Sequence, residues 1–376
     1  MQKTRIILHI DMNAFFASCA IINEPYLKDK VFAIGGPSGY TNRGVLSTAS
    51  YQARKLGINS GMSITDAQKI YPKLLIVPTD FTLYSEMSKK FIEFLRTYTK
   101  QLLIGSIDEA YLDITEISKY KHPELIAKEI QDKLLSLHQL PSSIGIAPTL
   151  FLAKMASDLK KPLGITVLRK RDIPLKLYHL DVAKIFGVGK KTYEKLYQIN
   201  IKTINDFINP QNKEKILTVM SVNHYLEIIS CLEGKSSNIV DPDKYSLPKS
   251  ISAETTLINN SSNYQIVFEA LNEQFERVFQ RLIDHQMLTR TIGFRVKYSD
   301  FTVLNRSVTL FDYTIDKELI RTKLEFLFTN NYDQEEVRLI GFFASNLIKI
   351  DEYQKHYDLF NYQQILNNDI IKKNQE

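Results

Sequence analysis

The segment from Ile104 to Asp113 constrains the fold of this chain more than any other, because it places two adjacent carboxylates at the start of a β-strand. After Asp108 and Glu109 the residues alternate between two faces, which predicts a strand, and Gly105 predicts a hairpin turn after a preceding strand. Successive strand residues face opposite sides of a sheet, so the two carboxylates can serve one site only where a strand begins or is bulged. A solvated turn is the alternative interpretation of this pair.

A third carboxylate in a similar setting favours a shared site. Asp11 follows the short apolar run from Arg5 to Ile10, which predicts the first strand. Bare carboxylates side by side are costly unless a cation lies between them. An all-oxygen cluster of this kind suits Mg²⁺, and two such ions about 4 Å apart would hold the attacking and leaving oxygens of a phosphoryl transfer.

The predicted element order brings these carboxylates onto neighbouring strands. After the first strand we expect a mostly helical insertion over 12–79, a helix over 81–100, a hairpin over 101–115, a helix over 124–139 and a strand over 142–147. Without the insertion this order is β-α-β-β-α-β, the ferredoxin-like pattern. The chain is therefore predicted to be of the α+β class, with the insertion after its first strand.

Composition is that of an ordinary globular protein. The 376 residues, 44% of them hydrophobic and 24% charged, are enough for roughly two to four domains. Two cysteines, Cys19 and Cys231, exclude a disulfide framework and a Cys-based metal site. No apolar run approaches a membrane span and the N-terminus has no signal-peptide pattern, so we expect a cytoplasmic protein that binds no membrane.

Positive charge is concentrated in one part of the chain. The net charge is +6, and residues 151–200 carry nine Lys and two Arg against three Asp and one Glu. A basic stretch beside a carboxylate cluster favours a polyanion held near the chemistry. A solvated lysine-rich surface is the alternative interpretation.

The chain contains four motif-like segments: Asp11–Ser18, Gly44–Arg54, Ser106–Asp113 and Phe151–Asp158, the last followed by Lys161-Pro162. They resemble motifs of the Y-family translesion DNA polymerases, and in particular of their DNA polymerase IV branch. They occur in the order and spacing of that family, from about residue 5 to residue 350. Because independent motifs share one order, the resemblance is specific.

The sequence departs from the family pattern at three places. Asn13 stands where many members have a second Asp, and Ala20 stands where many have Glu. Thr149-Leu150 precede Phe151 where an Asn-Lys pair is frequent. None of these departures removes a carboxylate of the cluster.

The resemblance implies a right-hand polymerase with a ferredoxin-like palm, helical fingers and thumb, and a C-terminal α/β little finger. The implied domains are a palm of residues 1–11 and 80–165, fingers of 12–79, a thumb of 166–233, a linker of 234–246, a little finger of 247–350 and a flexible tail of 351–376. It also implies an error-prone, template-directed DNA polymerase without proofreading. Such an enzyme acts as a monomer on primer-template DNA and deoxynucleoside triphosphates (dNTPs).

The same resemblance assigns roles to individual residues. Asp11 and Asp108 would bridge two Mg²⁺ ions, with the Met12 carbonyl as a further ligand, and Glu109 would hold the ion that activates the primer hydroxyl. Phe16 would exclude the 2′-hydroxyl of ribonucleotides. The nucleotide-binding residues would be Phe15, Phe16, Thr48, Tyr51, Arg54 and Lys161. A core position is the alternative interpretation of Tyr51 and of both phenylalanines.

Two further regions are predicted to bind DNA phosphates. Gly187 and Gly189, followed by Lys190 and Lys191, predict a helix-hairpin-helix, with a plain glycine C-cap and turn as the alternative. In the implied little finger the candidates are Arg290, Arg295, Lys297 and Arg306, and a solvated strand face is the alternative.

The tail contains a segment that resembles a sliding-clamp-binding pentapeptide. His356-Tyr357-Asp358-Leu359-Phe360 keeps the last three positions of that motif and departs at the first two. Leu359 and Phe360 would be the anchors in an apolar pocket of the clamp.

Two other functions are consistent with a carboxylate-bearing palm. A nucleotidyl cyclase is one, but it needs no duplex grip, and the predicted hairpin and C-terminal unit argue against it. A non-catalytic DNA-binding relative is the other, and the intact Asp11, Asp108 and Glu109 argue against that.

Overall fold

A five-stranded sheet organises the first part of the chain. The computed structural model describes residues 5–36 and 44–353, and the chain divides into two units, Met1–Ser246 and Leu247–Glu376. In order, the first unit contains β1 (Ile7–Met12), α1 (Phe15–Asn23), β2 (Phe32–Gly35), β3 (Leu46–Ala49), α2 (Tyr51–Lys55), α3 (Ile64–Ile70), β4 (Leu75–Val77), α4 (Phe81–Arg96), β5 (Leu102–Ile104), β6 (Glu109–Asp113), α5 (Pro123–His138), β7 (Ser142–Ala147), α6 (Leu150–Asp158), β8 (Ile165–Val167), α7 (Ile173–Leu177), α8 (Lys190–Gln198), α9 (Ile204–Ile208), α10 (Lys213–Leu217) and α11 (Val222–Leu232).

The sheet has the spatial order β5-β6-β1-β7-β8, and its strand pairs are antiparallel except for β7 with β8. Buried residues of α4 and α5 share one core with Leu8, Ile10 and Met12 of β1. The predicted β-α-β-β-α-β order is therefore confirmed. Strand β8 is an addition that the sequence analysis did not predict.

Alternation along β1 divides its side chains between the two faces of the sheet. Leu8, Ile10 and Met12 face the core with α4 and α5, whereas Ile7 belongs to the core on the opposite face, which includes α6. Asp11 shares the α6 face with Ile7 because it has the same parity in the strand. This places the first carboxylate beneath α6.

A glycine lets α6 approach the sheet closely. A Cβ atom at Gly145 of β7 would lie 2.0 Å from the Ala153 carbonyl oxygen and 2.5 Å from the Ser157 nitrogen, so no larger residue fits. Thr149 begins the helix as its N-cap, and its hydroxyl accepts from the Leu152 N–H at 3.3 Å. The departure from Asn-Lys at this position thus retains a capping side chain.

The insertion over 12–79 contains helices, as predicted, and also a three-stranded sheet that the sequence analysis did not predict. Its order is β3-β2-β4. Each strand has only three or four residues, which is too short to show a clear period in the sequence. After β8, the chain up to residue 233 contains helices, turns and short 3₁₀ segments and no further strand, which agrees with the predicted helical thumb.

The second unit is a four-stranded antiparallel sheet with two helices, consistent with the predicted α/β unit. The elements are β9 (Ser250–Ser261), α12 (Tyr264–Asp284), β10 (Met287–Tyr298), β11 (Val303–Thr314), α13 (Lys317–Thr329) and β12 (Val337–Lys349). The order of the strands in the sheet is β11-β10-β12-β9. Among the described residues of the chain, no helix has the length and apolar character of a membrane span.

Candidate active site

The three predicted carboxylates meet where β1 and β6 pair. Asp11 is the register partner of Glu109, the first residue of β6. Asp108 lies in the turn just before that strand, and its carbonyl accepts from the Met12 N–H at 3.0 Å. Because β6 only begins at Glu109, the two adjacent acids are not forced to opposite faces of the sheet. The expectation of a strand that starts at this pair is confirmed.

Two lysines supply cations to this cluster. Lys154 Nζ lies 2.9 Å from Asp11 Oδ2 and also bonds Glu109 Oε2. Lys161 Nζ lies 2.7 Å from Asp11 Oδ1 and 2.7 Å from Asp158 Oδ1. In this structure the ammonium of Lys161, predicted to meet a triphosphate, therefore pairs with carboxylates.

Sequence reasoning missed Lys154, although a signal for it exists. Most of its neighbours in α6, including Ala153 and Met155, are buried and apolar, and the Lys154 side chain is only 12% exposed. A lysine in such a helix needs an anionic partner, since burying an unpaired ammonium is costly. A lone lysine in an otherwise apolar helix could thus have been singled out as the partner of a buried carboxylate.

Burial and neighbouring charges shift the pKa values of these groups in opposite directions. Burial raises the pKa of Asp108, and the charges of Asp11 and Glu109 add to this. Burial alone would also raise the pKa of Glu109, but His9 and Lys154 outweigh it and lower that pKa to about 2. The cluster therefore holds a firmly ionised Glu109 beside an Asp108 that is harder to ionise.

A cleft of about 270 Å³ opens beside the carboxylates. It is lined by every residue predicted to bind the nucleotide, together with Asp11, Met12 and Asp108, so the structure brings these residues together. The lining residues that were not predicted are Asn13, Ala14, Ser47 and Ser60.

Arg54 is held in a defined position on one wall of this cleft. Its Nη2 donates to Thr48 Oγ1 at 3.1 Å, and its Nε donates to the Ala49 carbonyl at 3.0 Å. The guanidinium carbon lies 5.2 Å from the centre of the Tyr51 ring. These contacts fix the guanidinium across the junction of β3 and α2, which makes it available for an anion without a further loss of side-chain entropy.

The two adjacent phenylalanines have different environments. Phe15 is 2% exposed and belongs to the core. Phe16 is partly exposed and stacks on Tyr84, with ring centres 4.2 Å apart and an interplanar angle of 18°. Ala14 precedes them in the left-handed conformation, at φ 45°, where the chain turns from β1 into α1.

Glu109 lines a different space from the other two carboxylates. A second cavity of about 410 Å³ lies between the β5–β6 hairpin and the helical region, and its walls include Glu109, Tyr111, Phe151 and Phe186. Asp11 and Asp108 line the first cleft and are absent from this second lining. The carboxylate cluster thus stands between two separate spaces.

The buried hydrogen bonds of Asn13 explain why an amide fits at this position, where many family members have Asp. Asn13 is 1% exposed, its amide nitrogen donates to Ser143 Oγ at 2.9 Å, and its carbonyl oxygen accepts from the Leu163 N–H at 2.8 Å. Both ends of the amide are therefore used, and Asn13 ties β1 to β7 and to the segment after α6.

The predicted phosphate-binding residues are placed as follows. Gly187 has φ 95°, and Gly189 is the N-cap of α8, so Lys190 and Lys191 lie in its exposed first turn. On β10, Arg290 and Arg295 are exposed and Lys297 is partly exposed.

Arg306 lies on a different face of the sheet from Arg295 and Lys297. Arg306 is the register partner of Phe294, a buried core residue, and its Nε donates to Asn331 Oδ1 at 3.0 Å. Since paired residues share a face, Arg306 points to the helix side of the sheet, whereas Arg295 and Lys297 point to the opposite side. These three residues do not form one phosphate-binding face. The segment 356–360 lies outside the described residues.

Comparison with known proteins agrees with this geometry. Residues 10–158 match the impB/mucB/samB family, and residues 248–358 match the C-terminal domain of that family. The chain is 37% identical to DNA polymerase IV of Bacillus anthracis over 96% of this chain and 87% of that protein. It is 35% identical to DNA polymerase IV 1 of Bacillus subtilis (strain 168) over 100% of this chain and 90% of that protein.

A solved structure has the same fold. A Y-family DNA polymerase chimera, Dbh-Dpo4(243-245)-Dbh, superposes with a TM-score of 0.78 at 25% identity, over 92% of this chain and 99% of that one. The carboxylate cluster, the adjoining cleft and these relatives lead to one conclusion. The chain belongs to the Y family of DNA polymerases and is a translesion polymerase of the DNA polymerase IV type.

Proposed function

We propose that this polymerase adds dNTPs to a primer 3′-hydroxyl, and that Asp11, Asp108, Glu109 and the Met12 carbonyl hold two Mg²⁺ ions for this purpose. When bound, Mg²⁺ would activate the hydroxyl and offset the charge of the phosphates. The observation that carries the proposal is the Lys154 ammonium, which lies against Asp11 and Glu109 as a cation among carboxylates.

The donor set fits Mg²⁺. The proposed ligands are all oxygens, which Mg²⁺ prefers, and one of them is a backbone carbonyl. Three carboxylates and a triphosphate carry more negative charge than Lys154 and Lys161 can neutralise. The negative charge that remains favours the binding of divalent cations when the nucleotide is present.

The two spaces beside the cluster suit two substrates. The incoming nucleotide occupies the cleft that Asp11 and Asp108 line, and the primer end approaches from the cavity that Glu109 lines. Arg54, Tyr51 and Thr48 bind the triphosphate. Lys161 joins them by exchanging its Asp11 contact for a phosphate oxygen, since its side chain is 28% exposed at the cleft wall.

Sugar choice rests on Phe16. Its ring packs flat on Tyr84 and also meets Phe81 edge-on at 6.0 Å between centres, so it cannot swing away readily. A ring held in this way leaves no room for a 2′-hydroxyl and offers that hydroxyl no hydrogen-bond partner.

The remaining regions hold DNA by its backbone. Residues 1–11 and 80–165 form the palm, 12–79 the fingers, 166–233 the thumb, 234–246 the linker and 247–350 the little finger. The exposed turn before α8 and the exposed side chains of Arg290, Arg295 and Lys297 contact phosphates. Such contacts position the duplex and carry no sequence information.

We place this monomeric enzyme in the cytoplasm. Its tail, residues 351–376, binds a sliding clamp through Leu359 and Phe360.

Primer extension with Mg²⁺, on undamaged and damaged templates, tests the carboxylate roles. We expect Asp108→Asn and Glu109→Gln to abolish extension and to leave primer-template binding almost unchanged, because the duplex is held elsewhere. Asp132→Asn, which alters an exposed acid of α5, is the matched control and should extend normally. Near-normal extension by either site variant would refute the assignment.

A further inference from the structure

A buried histidine lies beneath the carboxylate cluster. His9 is 0% exposed in β1, on the same face as Asp11, and its ring centre lies 4.5 Å from that of Tyr111. Its Nε2 lies 3.4 Å from Glu109 Oε2 and makes no hydrogen bond within the part of the chain that the structure describes. A buried polar nitrogen so close to a carboxylate, and without a hydrogen bond, calls for a physical explanation.

The other ring nitrogen has a partner on α6. His9 Nδ1 and Ser157 Oγ lie 2.8 Å apart, and Ser157 Oγ also lies 2.8 Å from the Lys154 carbonyl oxygen. The hydroxyl carries one hydrogen and can donate to only one of these two acceptors. The direction of this bond decides which nitrogen of a neutral imidazole carries the ring hydrogen.

Electrostatics selects one of the two tautomers. If Nε2 carried the lone pair, that lone pair would face the Glu109 oxygen at 3.4 Å, an unfavourable contact between two acceptors. If Nε2 carries the hydrogen, it faces the carboxylate as a donor, and the Ser157 hydroxyl donates to Nδ1. The Lys154 carbonyl loses nothing essential, because it belongs to the backbone ladder of α6.

We propose that Ser157 and His9 position the Glu109 carboxylate: Ser157 fixes the Nε2–H tautomer of His9, and that N–H attracts Glu109 Oε2 electrostatically across 3.4 Å. His9 is a positioning residue, and the proposal rests on the function proposed for Glu109. Lys154 binds the same Oε2 atom, so both contacts fix the orientation of the carboxylate and direct Oε1 away from them. Hydrogen-bonding partners behind a metal ligand typically change metal affinity by about 10- to 100-fold.

Substitutions at His9 separate a donor role from packing. His9→Gln places an amide nitrogen near the position of Nε2, His9→Asn places one near Nδ1, and His9→Phe keeps only a ring. We expect His9→Gln to bind Mg²⁺ nearly as well as the wild type in calorimetric titrations without nucleotide. We expect His9→Asn and His9→Phe to bind Mg²⁺ about tenfold more weakly. A role in packing alone predicts instead that His9→Phe retains wild-type affinity, and that result would overturn the proposal.

Nitrogen NMR of histidine-labelled protein reads the tautomer directly, without metal or substrate. The His9 signal, assigned by its loss in His9→Gln, should report the Nε2–H tautomer in the wild type and a larger Nδ1–H fraction in Ser157→Ala. An Nδ1–H tautomer in the wild type would refute the proposal even if His9→Asn and His9→Phe failed to fold. Failure of the proposed function itself would appear differently, as wild-type protein that binds no divalent cation or as an active Glu109→Gln enzyme.

Discussion

The Lys154 ammonium lies 2.9 Å from Asp11 Oδ2, although 143 residues separate the two along the chain. Both side chains are nearly buried, at 12% and 11% exposure. The contact exists because α6 packs closely on the sheet over Gly145, which brings Lys154 above the end of β1. A helix placed for packing thereby supplies the cation that the carboxylates need.

This relationship predicts that Lys154 stabilises the metal-free enzyme. Lys154→Met keeps most of the apolar length but leaves Asp11 and Glu109 close together without a cation. We expect a loss of about 3 kcal/mol in the free energy of unfolding, because removing one partner strands a buried charge. Urea unfolding in EDTA measures it, with Lys128→Met, which removes an exposed ion pair of α5, as the control.

Added Mg²⁺ should partly reverse that loss. Ions that bind the folded state alone stabilise it by mass action, so the gain on adding Mg²⁺ should be larger for Lys154→Met than for the wild type. Equal unfolding free energies of the variant and the wild type in EDTA would show that the lysine does not hold the cluster together.

Phe16 and Phe15 should respond differently to truncation. Phe16→Ala opens the cleft beneath the sugar, so ribonucleotide insertion should rise at least tenfold if about 1.4 kcal/mol of discrimination is lost. Phe15→Ala removes a core side chain that is 2% exposed and should cost about 3–5 kcal/mol of stability. Single-nucleotide insertion with dNTPs and ribonucleotides, together with urea unfolding, distinguishes the two. Unchanged rejection of ribonucleotides by Phe16→Ala would rule out the gate.

Arg54 should act mainly on nucleotide affinity. Arg54→Gln removes a fixed positive charge from the cleft wall, so we expect the KM for dNTPs to rise about tenfold, the equivalent of one charge-assisted hydrogen bond. Lys55→Gln alters the next, exposed residue of α2 and serves as the control. Steady-state insertion kinetics measures both. A KM that rises equally in the two variants would point to general electrostatics in place of a specific contact.

The tail should matter only when the clamp is present. Deleting residues 356–376, or replacing Leu359 and Phe360 with alanine, should weaken binding to the replication clamp and leave clamp-free extension unchanged. Replacing Gln363 and Gln364 with alanine is the matched control within the same segment. Surface-immobilised clamp provides the binding measurement, and unchanged affinity of the deletion would contradict the clamp motif.

Local periodicity explains how much of the fold could be predicted. The helices over 81–100 and 124–139 and the strand over 142–147 were predicted to within a few residues of α4, α5 and β7. Their apolar residues recur with the period of one secondary structure over enough residues to be recognised. The very short strands β2, β3, β4 and β8 escaped prediction because three or four residues do not establish a period.

The residues alone were enough to predict that Asp11, Asp108 and Glu109 form one cluster, since they occur at the ends of recognisable strands in motifs of one family. It could not determine what neutralises or orients them. Lys154 and Ser157 reach the cluster only because α6 lies on the sheet, and His9 meets Glu109 only because β1 pairs with β6. Lys161 meets Asp11 only after the chain leaves α6. Periodicity reports which face of an element is buried, whereas contacts between residues more than 140 positions apart depend on how the elements pack, and packing is decided by the tertiary structure.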